Sequence, residues 1–412
     1  MFKRNIKSRV EAALKRSPVV LLTGARQSGK TVLVESIAQE KNYNYFTMDD
    51  IPTYLSAKND PVGFIANIEK PVVIDEVQRV PELFLAIKRD VDKNRVAGNY
   101  LLTGSTNPIL IPQVADALTG RIETISLLPL SQGELLGIKE QFIDTIFSGK
   151  NPSNIPSIKE SLSRDELYKK ILIGGFPVMQ NLNEKDRKVW INEYIKNIVQ
   201  KDAQDIAQIS EPADLYTLVY SMANRASGLL NIADISRTIS VPQATLQRYS
   251  SLLEALYMIY LQRSWHMDSE KQFIKAKKAY LVDSGFLSNL LKLNMERAIE
   301  YSSLMGNVIE NFVVMELLKQ LGWSETEAEL YHFRTTGNIE VDVVIQDEYK
   351  NIVGIEIKGS STVSYNDFKG LEYLQNLTQD KFIKGIVLYL GDKDIPFGKN
   401  LIACPISILW NN

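Results

Sequence analysis

The sequence has few of the residues that build disulfide frameworks or metal centres. Its 412 residues include one cysteine, Cys404, and two histidines, His266 and His332. One cysteine excludes an internal disulfide framework and a cysteine-rich zinc site, and it is typical of a protein from a reducing compartment. Two histidines argue against a histidine-built metal centre.

Long hydrophobic runs and an excess of one charge are also absent. The longest apolar stretches, such as residues 19–22, have the length of a strand, whereas a membrane span needs about 20 residues. Residues 1–5 are basic but lead into an amphipathic segment rather than an apolar secretory core. We therefore expect a cytoplasmic protein without a membrane partner.

The overall composition, 45% hydrophobic and 23% charged, is that of a soluble globular protein. A chain of 412 residues predicts roughly two to four domains. Its 47 lysines and arginines against 49 acidic residues give a net charge of −2. Binding to nucleic acid would therefore require a local basic patch.

A phosphate-binding loop follows the first predicted strand. Residues 18–23 are largely β-branched and uncharged, and helical spacing resumes at residue 32. Between them, a GxxxxGKT motif places a glycine-rich turn before a helix, which directs backbone N–H groups at phosphates. We expect ATP to bind here, with Lys30 at its β- and γ-phosphates and Thr31 at Mg²⁺. The motif consists of Gly24, Ala25, Arg26, Gln27, Ser28, Gly29, Lys30 and Thr31.

A second strand of this nucleotide site is predicted at residues 71–76, which are apolar and end in two acids. Asp75 is the expected partner of Mg²⁺, directly or through water. Glu76 is placed to polarise the water that attacks the γ-phosphate.

Further candidates for ATP hydrolysis follow a third predicted strand at residues 99–103. Ser105, Thr106 and Asn107 are alternative sensors of the γ-phosphate or ligands of the attacking water, and an ordinary polar turn is the competing interpretation. Arg121 is a candidate to stabilise charge on the transferred phosphoryl group. It would act in its own subunit or on a neighbouring one, unless it forms only a surface salt bridge.

Together these segments resemble the prokaryotic AAA-type ATPases whose C-terminal half is a domain of unknown function. The resemblance also covers Gly120 and Arg121, residues 128–131 with Glu134, residues 174–177, Asp342, and residues 356–358. It implies a P-loop ATPase core and extends over most of the chain. We find no aromatic–hydrophobic–glycine pore-loop motif, so the resemblance does not extend to threading translocases.

Linker and helical segments follow the predicted core. Residues 140–165 include a Gly-, Pro- and Ser-rich stretch, and the Gly-Gly-Phe-Pro sequence at 174–177 must form a tight turn. An amphipathic helix is predicted at residues 190–199. We expect these helices to form a lid beside the nucleotide.

Residues 212–285 predict a winged helix-turn-helix. Its elements are helices at 214–224, 231–239 and 243–261, then a β-ribbon at 259–264 and 278–282. If the module reads DNA, the third helix enters the major groove and the ribbon contacts phosphates. The residues concerned are Gln243, Thr245, Gln247 and Arg248 on the helix and Lys271, Lys275, Lys277 and Lys278 on the ribbon. The alternative is a module used only for packing.

The C-terminal part of the sequence contains a second set of acids. A predicted helix carries Glu310, and a predicted hairpin carries Asp342 on one arm and Glu356 with Lys358 on the other. This is the restriction-endonuclease-like pattern called PD-(D/E)xK. The pattern implies that Asp342 and Glu356 would hold Mg²⁺, that Glu310 would complete the metal shell, and that Lys358 would orient or activate the water. The alternative is a binding domain whose acids form ordinary ion pairs with Lys358 or Arg334.

The predicted fold class is α/β. Its parts are a P-loop AAA-type ATPase core at residues 1–138, a helical lid at 139–210, a winged-helix domain at 211–290 and a restriction-endonuclease-like domain at 291–412. We expect ATP hydrolysis with Mg²⁺, coupled to a nuclease-like domain that acts on or binds DNA or RNA. The alternative is a nucleotide-dependent switch or scaffold whose C-terminal domain binds a partner without cleavage. A homo-oligomer is a candidate assembly.

Overall fold

The computed structural model describes residues 2–106, 120–148, 162–203, 211–268, 272 and 276–410. Within these ranges the strands form two sheets, one of five strands and one of eight. The candidate residues Asn107, Lys271 and Lys275, and the core of the predicted linker at 149–157, lie outside the described residues.

The N-terminal sheet is parallel throughout, with the strand order β2-β3-β4-β1-β5. Its strands are β1 (Val19–Thr23), β2 (Asn44–Thr47), β3 (Val72–Asp75), β4 (Tyr100–Gly104) and β5 (Ile122–Ser126). Every residue of β1, β3 and β4 is buried, which explains their continuous apolar runs in the sequence. The three strands predicted for the nucleotide site are confirmed.

Helices cover both faces of this sheet. They are α1 (Lys7–Leu14), α2 (Lys30–Lys41), α3 (Ile51–Asn59), α4 (Pro61–Asn67) and α5 (Glu82–Lys93). Apolar side chains of α1 and α2 pack on one face, and those of α3, α4 and α5 pack on the other. The loops at the carboxyl ends of β1, β3 and β4 are therefore left to form a site.

The middle of the chain is helical. Its helices are α6 (Gln132–Leu136), α7 (Phe142–Phe147), α8 (Arg164–Ile173), α9 (Glu184–Asn197), α10 (Pro212–Ala223), α11 (Ile232–Ile239) and α12 (Gln243–Ala255). The predicted tight turn follows α8 and donates from Gly175 N to Asp283 at 2.7 Å. Helix α12 ends before the predicted residue 261, because the backbone of Tyr257 turns into the left-handed region at φ 56° and a strand begins at Ile259.

The β-ribbon predicted as a wing is part of the C-terminal sheet, so that prediction needs correction. Strand β6 (Ile259–Ser264) pairs antiparallel with β7 (Lys278–Leu281) and parallel with β8 (Ala328–Arg334). Lys278 is buried at 6% exposure and therefore does not face phosphates in solvent. The predicted boundary at residues 290–291 separates this hairpin from the sheet to which it is hydrogen-bonded.

The C-terminal sheet has the order β12-β13-β11-β10-β9-β8-β6-β7. Its remaining strands are β9 (Glu340–Asp347), β10 (Ile352–Ile357), β11 (Phe382–Tyr389), β12 (Ile395–Gly398) and β13 (Leu401–Pro405). Strands β9 and β10 form the predicted antiparallel hairpin, while β10 and β11 are parallel. The helices of this region are α13 (Ser284–Leu290), α14 (Met295–Glu300), α15 (Ser302–Leu321) and α16 (Lys369–Thr378).

One apolar core connects the helical lid with the C-terminal sheet. Buried side chains from α7 to α15 and from β9, β10, β11 and β13 form a single cluster, in which the rings of Phe176 and Phe286 stack 4.6 Å apart. Helix α16 packs against the opposite face of the sheet. In the part of the chain that the structure describes, no helix has the length and apolar character needed to cross a membrane.

Candidate nucleotide-binding site and C-terminal acid cluster

The phosphate loop leaves β1 through two glycines with left-handed backbones. Gly24 has φ 147°, and a Cβ there would lie 2.2 Å from the carbonyl oxygen of Leu127, so a larger residue cannot replace it without moving that strand end. Gly29, at φ 99°, opens α2. The loop encloses Lys30, whose Nζ donates to Gly24 O at 3.0 Å and to Ala25 O at 2.9 Å.

Lys30 is the main cation inside this loop. Its side chain is buried, and burial lowers its pKa to about 8, while the nearby charges of Glu76 and Asp75 oppose that change. Three predicted site residues from two separate segments are therefore close to one another.

Asp75 receives hydrogen bonds from several elements of the N-terminal sheet. Thr31 Oγ1 and the Tyr45 hydroxyl each donate to Asp75 Oδ2 at 3.0 Å, and Thr103 Oγ1 donates to the other oxygen. A threonine hydroxyl beside a carboxylate is the hard-oxygen pair that holds Mg²⁺ together with substrate phosphates. The predicted pair Thr31 and Asp75 therefore fits a magnesium ion.

Glu76 is held by residues that sequence reasoning did not identify. Its backbone N donates to Thr103 Oγ1 at 2.9 Å, and its own φ of 55° lies in the left-handed region. Gln78 Nε2 donates to Glu76 Oε2 and, at 3.0 Å, to Ser105 Oγ. Ser105, one of three alternatives in the sequence, thus shares a donor with the predicted base.

Arg121 lies away from the phosphate loop of its own chain. It precedes β5, whose Ile122 pairs with Val19 at the amino end of β1. The length of β1, about 13 Å, separates that end from the loop. Arg121 Nε forms an ion pair with Asp92 at 2.5 Å. The predicted role in its own subunit is therefore corrected, and action on a neighbouring subunit stays a prediction.

Three residues outside the motif fix the phosphate loop and the strand end before it to the rest of the chain. Arg4 Nη1 donates to Ser28 O at 2.7 Å, Tyr194 of α9 donates to Arg26 O at 3.2 Å, and Tyr257 donates to Thr23 Oγ1 at 2.6 Å. No local motif marks these residues, because each contact joins segments that are distant in sequence.

The predicted C-terminal acids lie together, as the sequence pattern requires. Glu310 comes from α15, Asp342 from β9 and Glu356 from β10, and all three side chains are 13–14% exposed. Lys358 Nζ donates to Glu356 Oε1 at 2.8 Å. The alternative partner Arg334 instead pairs with Glu340.

Lys278 is the member of this cluster that the sequence did not predict. Its Nζ lies 2.8 Å from Glu310 Oε1 and 3.2 Å from Asp342 Oδ1. Tyr280, two residues further along β7, donates to the same oxygen of Glu310 at 2.8 Å. We call Lys278, Glu310, Asp342, Glu356 and Lys358 the acid cluster.

Burial governs the titration of these groups. It raises the pKa of Glu310 to about 7 and that of Glu356 to about 8, with the charge of Asp342 adding to both shifts. Asp342 and Glu310 together raise the pKa of Lys278 despite its burial, so its ammonium stays charged. Among the described residues, no group of three or more histidine, cysteine or acidic side chains is arranged to hold a metal ion.

The third helix of the predicted helix-turn-helix presents a polar surface. Gln243, Gln247 and Arg248 are exposed and Thr245 is half-buried, so the expected groove-facing residues of α12 are accessible. DNA binding by this helix stays a prediction.

Residues 16–136 match the family described as an AAA domain. The N-terminal domain is an AAA-type, P-loop ATPase-like domain. Residues 164–297 match a domain of unknown function, DUF8612, and residues 305–409 match another, DUF4143. Neither description names a nuclease or a nucleic acid.

Similar proteins extend over nearly the whole chain. An uncharacterized protein of Mycobacterium tuberculosis is 26% identical, and the match covers 98% of this chain and 83% of that protein. An uncharacterized protein of Methanocaldococcus jannaschii is 23% identical, and the match covers 92% of this chain and 84% of that protein. A solved Walker-type ATPase of Pyrococcus abyssi, 13% identical, covers 71% of this chain and 96% of its own with a TM-score of 0.42.

Proposed function

We propose that this protein binds and hydrolyses ATP at the phosphate loop of its AAA-type domain. The observation that supports this most directly is the convergence of Lys30, Thr31 and Asp75 at the carboxyl ends of β1 and β3. A loop of backbone N–H groups at the start of α2 provides an anion site, and Lys30 adds the charge that the terminal phosphates require.

Thr31 and Asp75 would hold the magnesium ion, which neutralises charge on the phosphate oxygens when it is bound. Glu76 would accept a proton from the attacking water, and Gln78 fixes the orientation of that carboxylate by donating to it. Ser105 shares this donor, so it lies beside the expected base and would respond to the γ-phosphate.

ATP binding would be communicated to the rest of the chain through the contacts of the phosphate loop. Tyr194 belongs to the helical lid, and Tyr257 connects α12 with β6 of the C-terminal sheet. A change in the conformation of the loop would therefore shift both the helical lid and the junction between α12 and β6, because these parts share a single packed core.

The test is a measurement of Mg²⁺-dependent ATP turnover by the wild type, Lys30→Ala and Lys15→Ala. Lys15 is an exposed lysine next to α1 and serves as the matched control. We expect turnover by the wild type and by Lys15→Ala, and a loss of at least about 100-fold in Lys30→Ala. Equal turnover by all three proteins would contradict the proposal.

For the C-terminal domain, we propose that it binds a nucleic acid or a protein under control of the nucleotide, without cutting. A second candidate, Mg²⁺-dependent cleavage of nucleic acid, is favoured by the proximity of Glu310, Asp342, Glu356 and Lys358. Lys278 forms ion pairs with two of these acids, which leaves less room for a catalytic metal ion. These pairs therefore favour binding without cleavage.

Incubation with plasmid DNA or RNA separates these two functions. Wild type, Asp342→Ala and Glu356→Ala are compared in Mg²⁺ or Mn²⁺, with ATP or a non-hydrolysable analogue. We expect the protein to retain its partner in a nucleotide-dependent way, and we expect no cleavage of the DNA or RNA under any condition. Nicking by the wild type that Asp342→Ala abolishes would establish cleavage in place of binding.

A further inference from the structure

The acid cluster differs from a metal site because the ammonium group of Lys278 lies where a metal ion would bind. Lys278 Nζ lies within 3.2 Å of oxygens from two separate elements, Glu310 on α15 and Asp342 on β9. A divalent ion that joined the same two carboxylates would need to lie at about 2.0–2.6 Å from each. The ammonium group already occupies that space.

Asp342 and the shared oxygen of Glu310 have further protein partners. Asp342 Oδ2 accepts from Ile357 N at 3.0 Å, and Glu310 Oε1 accepts from the Tyr280 hydroxyl at 2.8 Å as well as from Lys278. Both oxygens of Asp342 and one oxygen of Glu310 are therefore engaged by the protein, as in a structural ion pair.

Charge opposes the addition of a metal while the lysines stay in place. Glu310, Asp342 and Glu356 supply three carboxylates, and Lys278 and Lys358 supply two ammonium groups in contact with them. A divalent cation in the cluster would face Lys278 at close range with little water between them, and repulsion between like charges is strong in such a setting.

Lys278 is held in the cluster by burial and by the pairing of its strand. Its side chain is 8% exposed, and its backbone pairs with Gln262 in the β6–β7 hairpin. Tyr280 lies on the same face of β7 and is hydrogen-bonded to both Gln262 and Glu310. Movement of the ammonium into solvent would break its two ion pairs and leave Glu310 and Asp342 without a cation.

We propose that Lys278 is a built-in cation that takes the place of a divalent metal ion in the acid cluster. The cluster then holds no metal, and it fastens the β6–β7 hairpin to α15 and β9. This proposal concerns the C-terminal domain only and is independent of ATP hydrolysis at the phosphate loop.

The test is a titration with Mn²⁺ alone, without nucleotide, followed by electron paramagnetic resonance on the full chain. Wild type, Asp342→Asn and Glu356→Gln should bind Mn²⁺ equally. The volume-matched Lys278→Met should gain one site below about 1 mM, and Lys278→Met combined with Asp342→Asn should lose it. Lys384→Met, which removes another buried lysine on β11, should gain nothing.

A wild-type Mn²⁺ site that Asp342→Asn or Glu356→Gln removes would overturn the proposal. This comparison does not depend on the lysine variant, so it decides the matter even where Lys278→Met fails to fold. A folded Lys278→Met protein that gains no Mn²⁺ would also count against it, because the freed carboxylates would then not form a cation site.

Discussion

The Tyr257 hydroxyl donates to Thr23 Oγ1 at 2.6 Å, and this bond joins the phosphate loop to the element that leads into the C-terminal sheet. Thr23 is the last residue of β1, immediately before Gly24. Tyr257 holds a left-handed backbone, φ 56°, at the junction between α12 and β6. The contact is therefore a direct connection between the nucleotide site and the C-terminal half.

Tyr257→Phe removes this hydroxyl and leaves the ring in its apolar surroundings. We expect a loss of about 1 kcal/mol in the free energy of unfolding, since one buried hydrogen bond is removed. In hydrogen exchange, ATP should protect β6 less than it does in the wild type. The control is Tyr349→Phe in an exposed turn, and equal ATP-dependent protection in both variants would refute a coupling role.

Arg4 supports the phosphate loop from the N-terminal segment. Its guanidinium donates to Ser28 O and Leu128 O at 2.7 Å each and pairs with the buried Glu134 at 3.1 Å. Arg4→Met should cost about 3–5 kcal/mol of unfolding free energy and weaken ATP binding, because it leaves a buried carboxylate without its cation.

Urea unfolding and ATP titration measure these two effects of Arg4→Met. Lys7→Met is the matched control, because the pair of Lys7 with Glu40 is partly exposed and should contribute at most about 1 kcal/mol. Adding Glu134→Gln to Arg4→Met should recover part of the lost stability. If Arg4→Met and Lys7→Met have the same free energy of unfolding, Arg4 does not stabilise the phosphate loop.

Glu140 makes stability depend on pH near neutrality. Burial, with the charges of Glu316 and Glu134 nearby, raises its pKa to about 7 from the ordinary 4.5. The folded protein therefore binds more protons than the unfolded chain between these values, so stability is greatest below the lower one and declines as pH rises through about 7.

Glu140→Gln should reduce this decline by the part that Glu140 contributes, at most about 3 kcal/mol, while Glu310 and Glu356, whose pKa values are also raised, contribute the rest. The measurement is the free energy of unfolding of wild type and variant at pH 5 and pH 8. If the two proteins lose the same stability between these pH values, Glu140 is not the group responsible.

The nucleotide site was largely predictable because its determinants are local. The phosphate loop, Lys30 and Thr31 occupy one short motif, and Asp75 ends an apolar strand. Tyr45, Thr103 and Gln78 were not predictable, since their contacts with Asp75 or Glu76 arise only when separate strands align in one sheet.

The C-terminal half shows where such prediction ends. The acids of the cluster were found because each lies on a strand or helix of recognisable pattern. The sequence predicts a wing for the ribbon because its partner, β8, follows more than 60 residues later, as the pairing of Arg263 with Tyr331 shows. The same assignment places Lys278 on a wing facing phosphates, whereas contacts with α15 and β9 bury it.

Mg²⁺-ATP turnover by Glu76→Gln tests the central claim most directly. The claim is that Glu76 activates water at a site built by Lys30, Thr31 and Asp75. ATP affinity should equal that of the wild type, because the amide keeps the shape of the carboxylate, while the turnover rate should fall by about 100-fold or more. Wild-type turnover by Glu76→Gln, or the absence of ATP binding in both proteins, would contradict the claim.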